Sequence, residues 1–261
     1  MRKKSGLGLV YIVLVLAFLY LPMLFVVVYS FNVSKSTAVW GGITLDWYGQ
    51  LANDRELLTA LGMSLRVGAL VSLVSVVLGT LGASAVARWT GRFAKTVLSA
   101  LYLPLVIPEV VLGVALMSLF ARTGISGKLP ALVLAHSTFC VPYVFILVSI
   151  RLRAIDPSIY EAARDLGAKP LAVFRTVTLP LALPAIGSGA LLAFAMSLDD
   201  VVISFFVSGP RSQTLPLLIF SAIRLGITPK INALCTIILV VTFAVVGVVQ
   251  VLSRGHEENK L

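Results

Sequence analysis

Three acidic residues lie inside or beside long apolar stretches of the sequence. Glu109 follows Pro108 in one stretch, and Asp199 and Asp200 stand near the end of another. An aspartate at the centre of a membrane costs on the order of 2.5–3.5 kcal/mol on insertion scales, so such residues usually face a bundle interior or a water-filled route. No Lys or Arg lies deep in these stretches, which leaves the interior net acidic. The three acids therefore predict a route that favours a cation and repels an anion.

The same acids also have a structural interpretation. Hydroxyls, backbone groups or Arg66 would pair with them and hold helices together. Neighbouring helical positions point about 100° apart, so only one of Asp199 and Asp200 need face a route. Several polar residues in the apolar stretches are expected to make helix–helix contacts rather than to bind a solute: His136, Ser137, Thr138, Tyr143, Ser197 and Ser204.

The histidines and cysteines predict neither a metal site nor a cofactor. A metal site needs converging ligands, whereas His136 and His256 are 120 positions apart. Cys140 and Cys235 lie in apolar segments without a CxxC spacing, which indicates packed small side chains.

A second feature with chemical content is the charged stretch from Arg151 to Thr178, which separates two apolar blocks. Pro157 can start a helix capped by Asp156, and Gly167 can end it with a positive φ. A second short helix is expected over Leu171–Thr178, before Pro180 opens the next apolar block. Small and apolar residues stand between the charges, as in a protein–protein contact. The stretch is therefore predicted to be a docking surface.

Composition places these features in a membrane protein. Of the 261 residues, 59% are hydrophobic and 12% are charged, and the mean hydropathy is +1.01. A soluble domain averages about 25% charged residues. The net charge of +10 does not indicate nucleic-acid binding, because Lys and Arg sit at the ends of apolar blocks.

The apolar blocks predict an all-α integral membrane protein in which residues 1–261 form one domain. An apolar region of about 25 residues from Leu7 to Phe31 is too long for most signal peptides and is interpreted as a first span, although a cleaved signal remains an alternative. Pro104 and Pro108 predict that the third span is bent and lines the interior. A half-helix is expected over Leu215–Ile223. Six spans are predicted: 7–31, 62–87, 97–120, 131–150, 181–207 and 232–252.

Six spans place both termini on one side of the membrane. Of the 21 Lys and Arg residues, 13 fall in the predicted inside segments, namely the start, residues 88–96, residues 151–179 and the tail. The positive-inside rule makes that side cytoplasmic. The docking surface is therefore expected to face the cytoplasm.

No nucleotide-binding loop accompanies this surface. The segment from Gly124 to Lys128 lacks the spacing of a P-loop, since residue 122 is Arg and residue 129 is Leu.

The string Glu161-Ala162-Ala163, followed by Gly167 and by Leu179-Pro180, resembles the EAA loop of ABC importer permeases with the MetI-like fold. The resemblance implies a non-catalytic permease whose coupling helix docks on the ATPase through Glu161, Ala162, Ala163 and Gly167. Further segments resemble polyamine (spermidine/putrescine) importer permeases of the PotC/PotI type: 104–109, 136–140, 197–202 and 232–234.

That resemblance also implies partners and a location. They are a cytoplasmic ABC ATPase dimer, a homologous second permease, and a periplasmic or extracellular polyamine-binding protein that delivers substrate to loops 32–61 and 208–232. The chain would be a multi-pass protein of the bacterial inner membrane that works by alternating access. Glu109, Asp199 and Asp200 would lie on the substrate pathway.

Two other classes of function stay open at this point. A proton-coupled secondary transporter of an organic cation would use the three acids as a relay, but it leaves the EAA-type loop without a role. A structural membrane scaffold explains neither feature.

Overall fold

The computed structural model describes residues 6–36, 38–87 and 91–258. The basic start Met1–Lys4, Arg88 of a predicted inside loop and the last three residues of the tail lie outside the described residues. In the described part, regular structure is helical apart from one isolated bridge between Asn32 and Ile43, which confirms the all-α prediction. The helices are α1 Gly6–Tyr29, α2 Asp46–Ala52, α3 Arg55–Val86, α4 Arg92–Val106, α5 Glu109–Thr123, α6 Leu129–Arg153, α7 Pro157–Asp165, α8 Pro170–Val173, α9 Leu179–Asp199, α10 Val202–Val207, α11 Leu215–Leu225 and α12 Pro229–Glu258.

Four helical segments of the described chain are long and apolar enough to cross a membrane: Gly8–Tyr29, Arg55–Val86, Leu129–Arg153 and Pro170–Asp199. The pair α4 and α5 makes a fifth if it counts as one span, and Pro229–Ala244 in α12 is a shorter apolar helix. The count of six spans and the side of each terminus therefore stay predictions.

The predicted third span, 97–120, is two helices that meet at 108°. Ile107 and Pro108 between them are extended, with ψ of 131° and 133°. The Pro108 ring disfavours helical geometry at the preceding residue, and its missing N–H removes a helical hydrogen bond. The prediction of a bend is confirmed, and the bend is sharp enough to divide the predicted span into two helices.

The helix observed at the predicted fifth span, 181–207, begins and ends earlier than the prediction. Its helix already begins in α8 and continues through a π-helical turn, Phe174–Thr178, into α9. The expected stop before Pro180 was wrong. The helix continues through this proline, which has no backbone N–H to donate, and a wide π-helical turn lies just ahead of it. The helix then ends at Asp199, and α10 begins at Val202 after two intervening residues.

The chain forms two compact units, residues 1–58 with 219–261 and residues 59–218. The second unit has its core around α6, where Val144, Phe145 and Val148 are fully buried. A Cβ atom on Gly79 of α3 would lie 2.9 Å from Val144 and from the backbone nitrogen of Phe145. One on Gly189 of α9 would lie 3.1 Å from Val144 Cγ1. Small residues thus let helices approach α6 closely from both sides.

In the first unit, the polar loop after α1 is held by Asn32. Its Oδ1 accepts from the backbone nitrogen of Gly41 at 2.8 Å, and its Nδ2 donates to the carbonyl of Val39 at 2.8 Å. Trp47 Nε1 donates to the carbonyl of Asn32 at 2.8 Å, which fixes α2 to the loop. Lys230 of α12 pairs with Asp54 at 2.6 Å. Residues 32–36 and 38–54 of the predicted external loop are therefore held by specific contacts within this unit.

Candidate functional site

The charged stretch folds as a helix, a glycine turn and the start of a second helix, as its sequence predicts. The Asp156 carboxylate accepts a hydrogen bond of 2.9 Å from the backbone nitrogen of Ser158, and this bond lowers the pKa of Asp156. Gly167 has φ of +78°. The backbone nitrogen of Gly167 donates to Arg164 at 2.8 Å, and that of Ala168 donates to Ala163 at 3.1 Å. This pair of bonds is the Schellman arrangement that closes a helix end.

Helix α7 presents two different faces. Pro157, Tyr160, Glu161 and Arg164 recur at helical spacing and line a cavity of about 930 Å³. The ends of α3 and α6 form other parts of its wall. Glu161 therefore faces the space next to the apolar helices.

The other face of α7 is apolar and exposed. Ile159 is 42% exposed and Leu166 is 89% exposed, and Ala162 lies between them. Leu171, just after the glycine turn, is 61% exposed. The sequence prediction grouped Glu161 with Ala162 and counted Leu166 among the small and apolar residues of the surface, but it did not include Ile159 or Leu171. The spacing of Ile159, Ala162 and Leu166 at i, i+3 and i+7 was the signal that would have found Ile159.

An arginine links this segment to the apolar helices. Arg151 in the last turn of α6 donates from Nε to the carbonyl of Leu181 in α9 at 2.9 Å. The two helices that flank the charged stretch in sequence are therefore tied together at the same end.

Each of the three predicted pathway acids lies where a helix ends or begins. Glu109 is the first residue of α5, directly after the break, and its side chain is exposed. Asp199 is the last residue of α9 and is also exposed. Asp200 lies in the next break, with its side chain only 7% exposed. Two acids are thus accessible from outside this chain, and the third is enclosed by it.

The enclosed acid belongs to a polar cluster that we call the break cluster: His136, Ser197, Asp200 and Ser204. His136 Nδ1 lies 2.9 Å from Ser197 Oγ, and Nε2 lies 3.1 Å from Ser204 Oγ and 3.3 Å from Asp200 Oδ2. The expectation that His136, Ser197 and Ser204 make helix–helix contacts is confirmed. Sequence reasoning missed that Asp200 joins them, since no local pattern relates positions 136 and 200.

The remaining oxygen contacts of Asp200 are to backbone nitrogens. Oδ2 accepts from Ser204 at 2.7 Å, and Oδ1 accepts from Ile203 at 3.3 Å. These are donors of the first turn of α10, which would otherwise have no partner. Asp200 therefore starts α10 while it contacts α6.

Comparisons with known proteins identify the family and the fold. Residues 57–257 match the family described as "Binding-protein-dependent transport system inner membrane component". The putrescine transport system permease protein PotI of Escherichia coli (strain K12) is 47% identical over 244 residues, which cover 90% of this chain and 86% of that protein. The spermidine/putrescine transport system permease protein PotC of Haemophilus influenzae is 40% identical over 242 residues, with coverages of 93% and 94%.

Solved structures show the same fold at lower identity. A chain of a bacterial ABC transporter that imports the acidic polysaccharide alginate has a TM-score of 0.74 at 18% identity, covering 96% of this chain and 97% of that one. A chain of the MetNI methionine ABC transporter has a TM-score of 0.61 at 20% identity, with coverages of 79% and 95%. These similarities confirm the MetI-like fold.

The family decides between the alternatives that the sequence left open. Its description assigns the chain to the membrane part of a transport system that depends on a binding protein, which favours an ABC importer permease over a proton-coupled carrier or a scaffold. The relatives are permease proteins, so ATP hydrolysis belongs to a separate ATPase subunit. With the EAA-type segment folded as expected and the apolar helices broken at the acids, the chain belongs to the family of inner-membrane components of binding-protein-dependent transport systems.

Proposed function

We propose that this chain forms part of the translocation pathway for polyamines, putrescine or spermidine, in an ATP-driven importer of the bacterial inner membrane. The observation that carries the proposal is the pair of exposed carboxylates, Glu109 and Asp199, at the two places where apolar helices are broken. Among the described residues, neither acid makes an ion pair. The names of the relatives support the same class of solute.

The chemistry of a polyamine fits two separated acids. Each ammonium group donates up to three hydrogen bonds, and a carboxylate accepts them as a charge-assisted pair. The methylene chain between the ammonium groups needs apolar walls, which the surrounding helices supply. Because the Asp200 carboxylate is engaged inside the fold, Glu109 and Asp199 are the residues assigned to the solute.

The assembly that this function needs adds three kinds of component to this chain. A homologous second permease completes the pathway, and a polyamine-binding protein docks on loops 32–61 and 208–232. An ABC ATPase dimer receives α7, with Ala162, Ala163 and the turn at Gly167 on the contact. Ile159 and Leu166 extend this contact, because both are apolar and exposed.

Glu161 has a different role in this proposal. It lies on the cavity face of α7. There its carboxylate influences the position of α7 relative to the ends of α3 and α6. ATP binding moves α7, the movement reaches the apolar helices through this face and through Arg151, and the pathway opens alternately to the two sides.

Uptake by the complete transporter in proteoliposomes tests the proposal. With binding protein and labelled putrescine outside and ATP inside, we expect uptake that requires the ATPase subunit. Excess spermidine should compete with the label, whereas 1,4-butanediol, which has the same carbon chain without the charges, should not. Uptake that follows a proton gradient without the ATPase would overturn the assignment, and competition by the diol would overturn the role of the acids.

A further inference from the structure

The break cluster is an enclosed polar group in the second unit. The His136 side chain is fully buried, and Ser197 and Ser204 are buried beside it. A carboxylate only accepts hydrogen bonds, so His136 Nε2 carries a proton and donates it towards Asp200 Oδ2. The Ser197 hydroxyl completes the set by donating to Nδ1 of a neutral ring or accepting from a charged one.

Placing an acid and an imidazole inside a membrane protein is costly unless each is satisfied by partners. Here the partners come from three helices. His136 lies on α6, Ser197 lies in the last turns of α9, and Ser204 lies on α10. The histidine therefore holds both sides of the break at Asp200 and Val201 against α6.

The short helix after the break carries this constraint further. A Cβ atom on Gly113 of α5 would lie 2.6 Å from the Phe206 ring of α10, so the two helices are in close contact. Leu112 and Phe120 of α5 share a buried cluster with Ile203 and Val207 of α10. Contacts that hold α10 in place therefore also hold α5, whose first residue is Glu109.

We infer that His136 is the positioning residue of the pathway. It binds Asp200 into the junction of α6 and α10 and thereby leaves Asp199, the preceding residue, as the accessible acid at the end of α9. The bonds from Asp200 to the α10 backbone depend on the same contact. The part of this inference that concerns Asp199 rests on the proposed function; the part that concerns the break does not.

Hydrogen exchange of the complete transporter in nanodiscs tests the structural part without transport. In His136→Ala, the backbone amides of residues 200–207 should exchange about tenfold faster, because local opening of α10 becomes easier. His136→Gln, whose amide still donates to Asp200, should restore part of the protection. The matched control is Ser137→Ala, the neighbouring buried residue whose hydroxyl has no hydrogen-bond partner among the described residues. Unchanged exchange in His136→Ala would overturn the inference.

A double-mutant cycle on uptake tests whether the histidine acts through Asp199. His136→Ala alone should raise the KM for putrescine about tenfold, whereas in an Asp199→Asn background the same change should add little, since residues that act together are not additive. Fully additive effects would overturn the positioning role. If Asp199→Asn alone leaves the KM unchanged, the pathway role of Asp199 in the proposed function fails, and the exchange experiment still decides the role of His136 at the break.

Discussion

Asp199 and Asp200 are adjacent in the chain but differ in exposure and in contacts. Asp199 ends α9 with an exposed side chain, while Asp200 accepts bonds from α10 and contacts His136. The sequence predicted that only one of them need face a route, because neighbouring positions diverge by about 100° on a helix. It did not indicate which one, since the answer depends on a histidine 64 positions earlier.

Substitutions that remove the negative charge at either position should therefore have different effects. Asp199→Asn should raise the KM for putrescine about tenfold and leave the amount of assembled transporter unchanged, because a single exposed charge partner is lost. Asp200→Asn should lower the thermal stability of the complex, because an amide keeps only one of the two acceptor oxygens that His136 and the α10 backbone share. Uptake kinetics and thermal unfolding of the purified complex measure the two effects, and the same phenotype for both variants would contradict the distinction.

The ion pair of Asp54 and Lys230 gives a prediction about pH. The side chain of Lys230 lowers the pKa of Asp54 below its ordinary value of 3.8, and the backbone nitrogen of Leu57 acts in the same direction. A depressed pKa means that the stabilisation is present above pH 3.8 and is lost as the pH falls through the lower, folded value. The pair is partly exposed, so its contribution is about 0.5 kcal/mol.

Lys230→Met should lower the thermal stability of the complex slightly at pH 7. The difference from the unaltered protein should shrink as Asp54 becomes protonated below pH 3.8. Lys35→Met is the matched control, because Lys35 is exposed and makes no ion pair among the described residues. Unfolding curves over this pH range measure the difference, and an effect of equal size for both variants would argue against the pair.

At the scale of elements, local rules predicted the segment from Asp156 to Gly167 well. The cap, the first proline and the terminal glycine each act on backbone groups within about four residues of themselves, so the sequence contains the whole signal. The orientation of α7 was not predictable in this way. Which face meets the cavity is set by the ends of α3 and α6, which are distant in sequence.

The two faces of α7 give a prediction about coupling to the ATPase. Leu166→Asp should strongly reduce copurification of the ATPase subunit with the permeases, because it places a charge in an apolar contact. Glu161→Gln, on the cavity face, should retain the ATPase and change transport instead. Copurification measured beside uptake separates the two, and loss of the ATPase only in Glu161→Gln would reverse the assignment of the faces.

At the scale of the whole molecule, the apolar blocks predicted where helices run but not where they break. Pro108 marks the first break in the sequence, and it was anticipated as a bend. The second break has no proline or glycine, since Val201–Val207 continues the apolar run. Asp200 is its local mark, because its carboxylate accepts from the first-turn backbone nitrogens of α10. The contact of Asp200 with His136 across the fold is the part that no local pattern shows.

The packing of the second unit around α6 should be sensitive to small added volume. Gly79→Ala should lower the unfolding temperature of the complex, because the new methyl group would lie 2.9 Å from the backbone of Phe145. Gly187→Ala in α9 is the control, since its methyl group would meet no atom within 4 Å. Equal unfolding temperatures for both variants would show that α3 can move away from α6 without cost.

The continuous helical segment Pro170–Asp199 joins the end of the charged stretch, beside the glycine turn, to the accessible acid Asp199. Thirty residues at 1.5 Å each make a rod about 45 Å long. A tilt of about 10° at one end of such a rod displaces the other end by about 8 Å, more than the width of an ammonium group. In the proposed importer, a small rotation at the glycine turn would therefore become a displacement of several ångströms at Asp199.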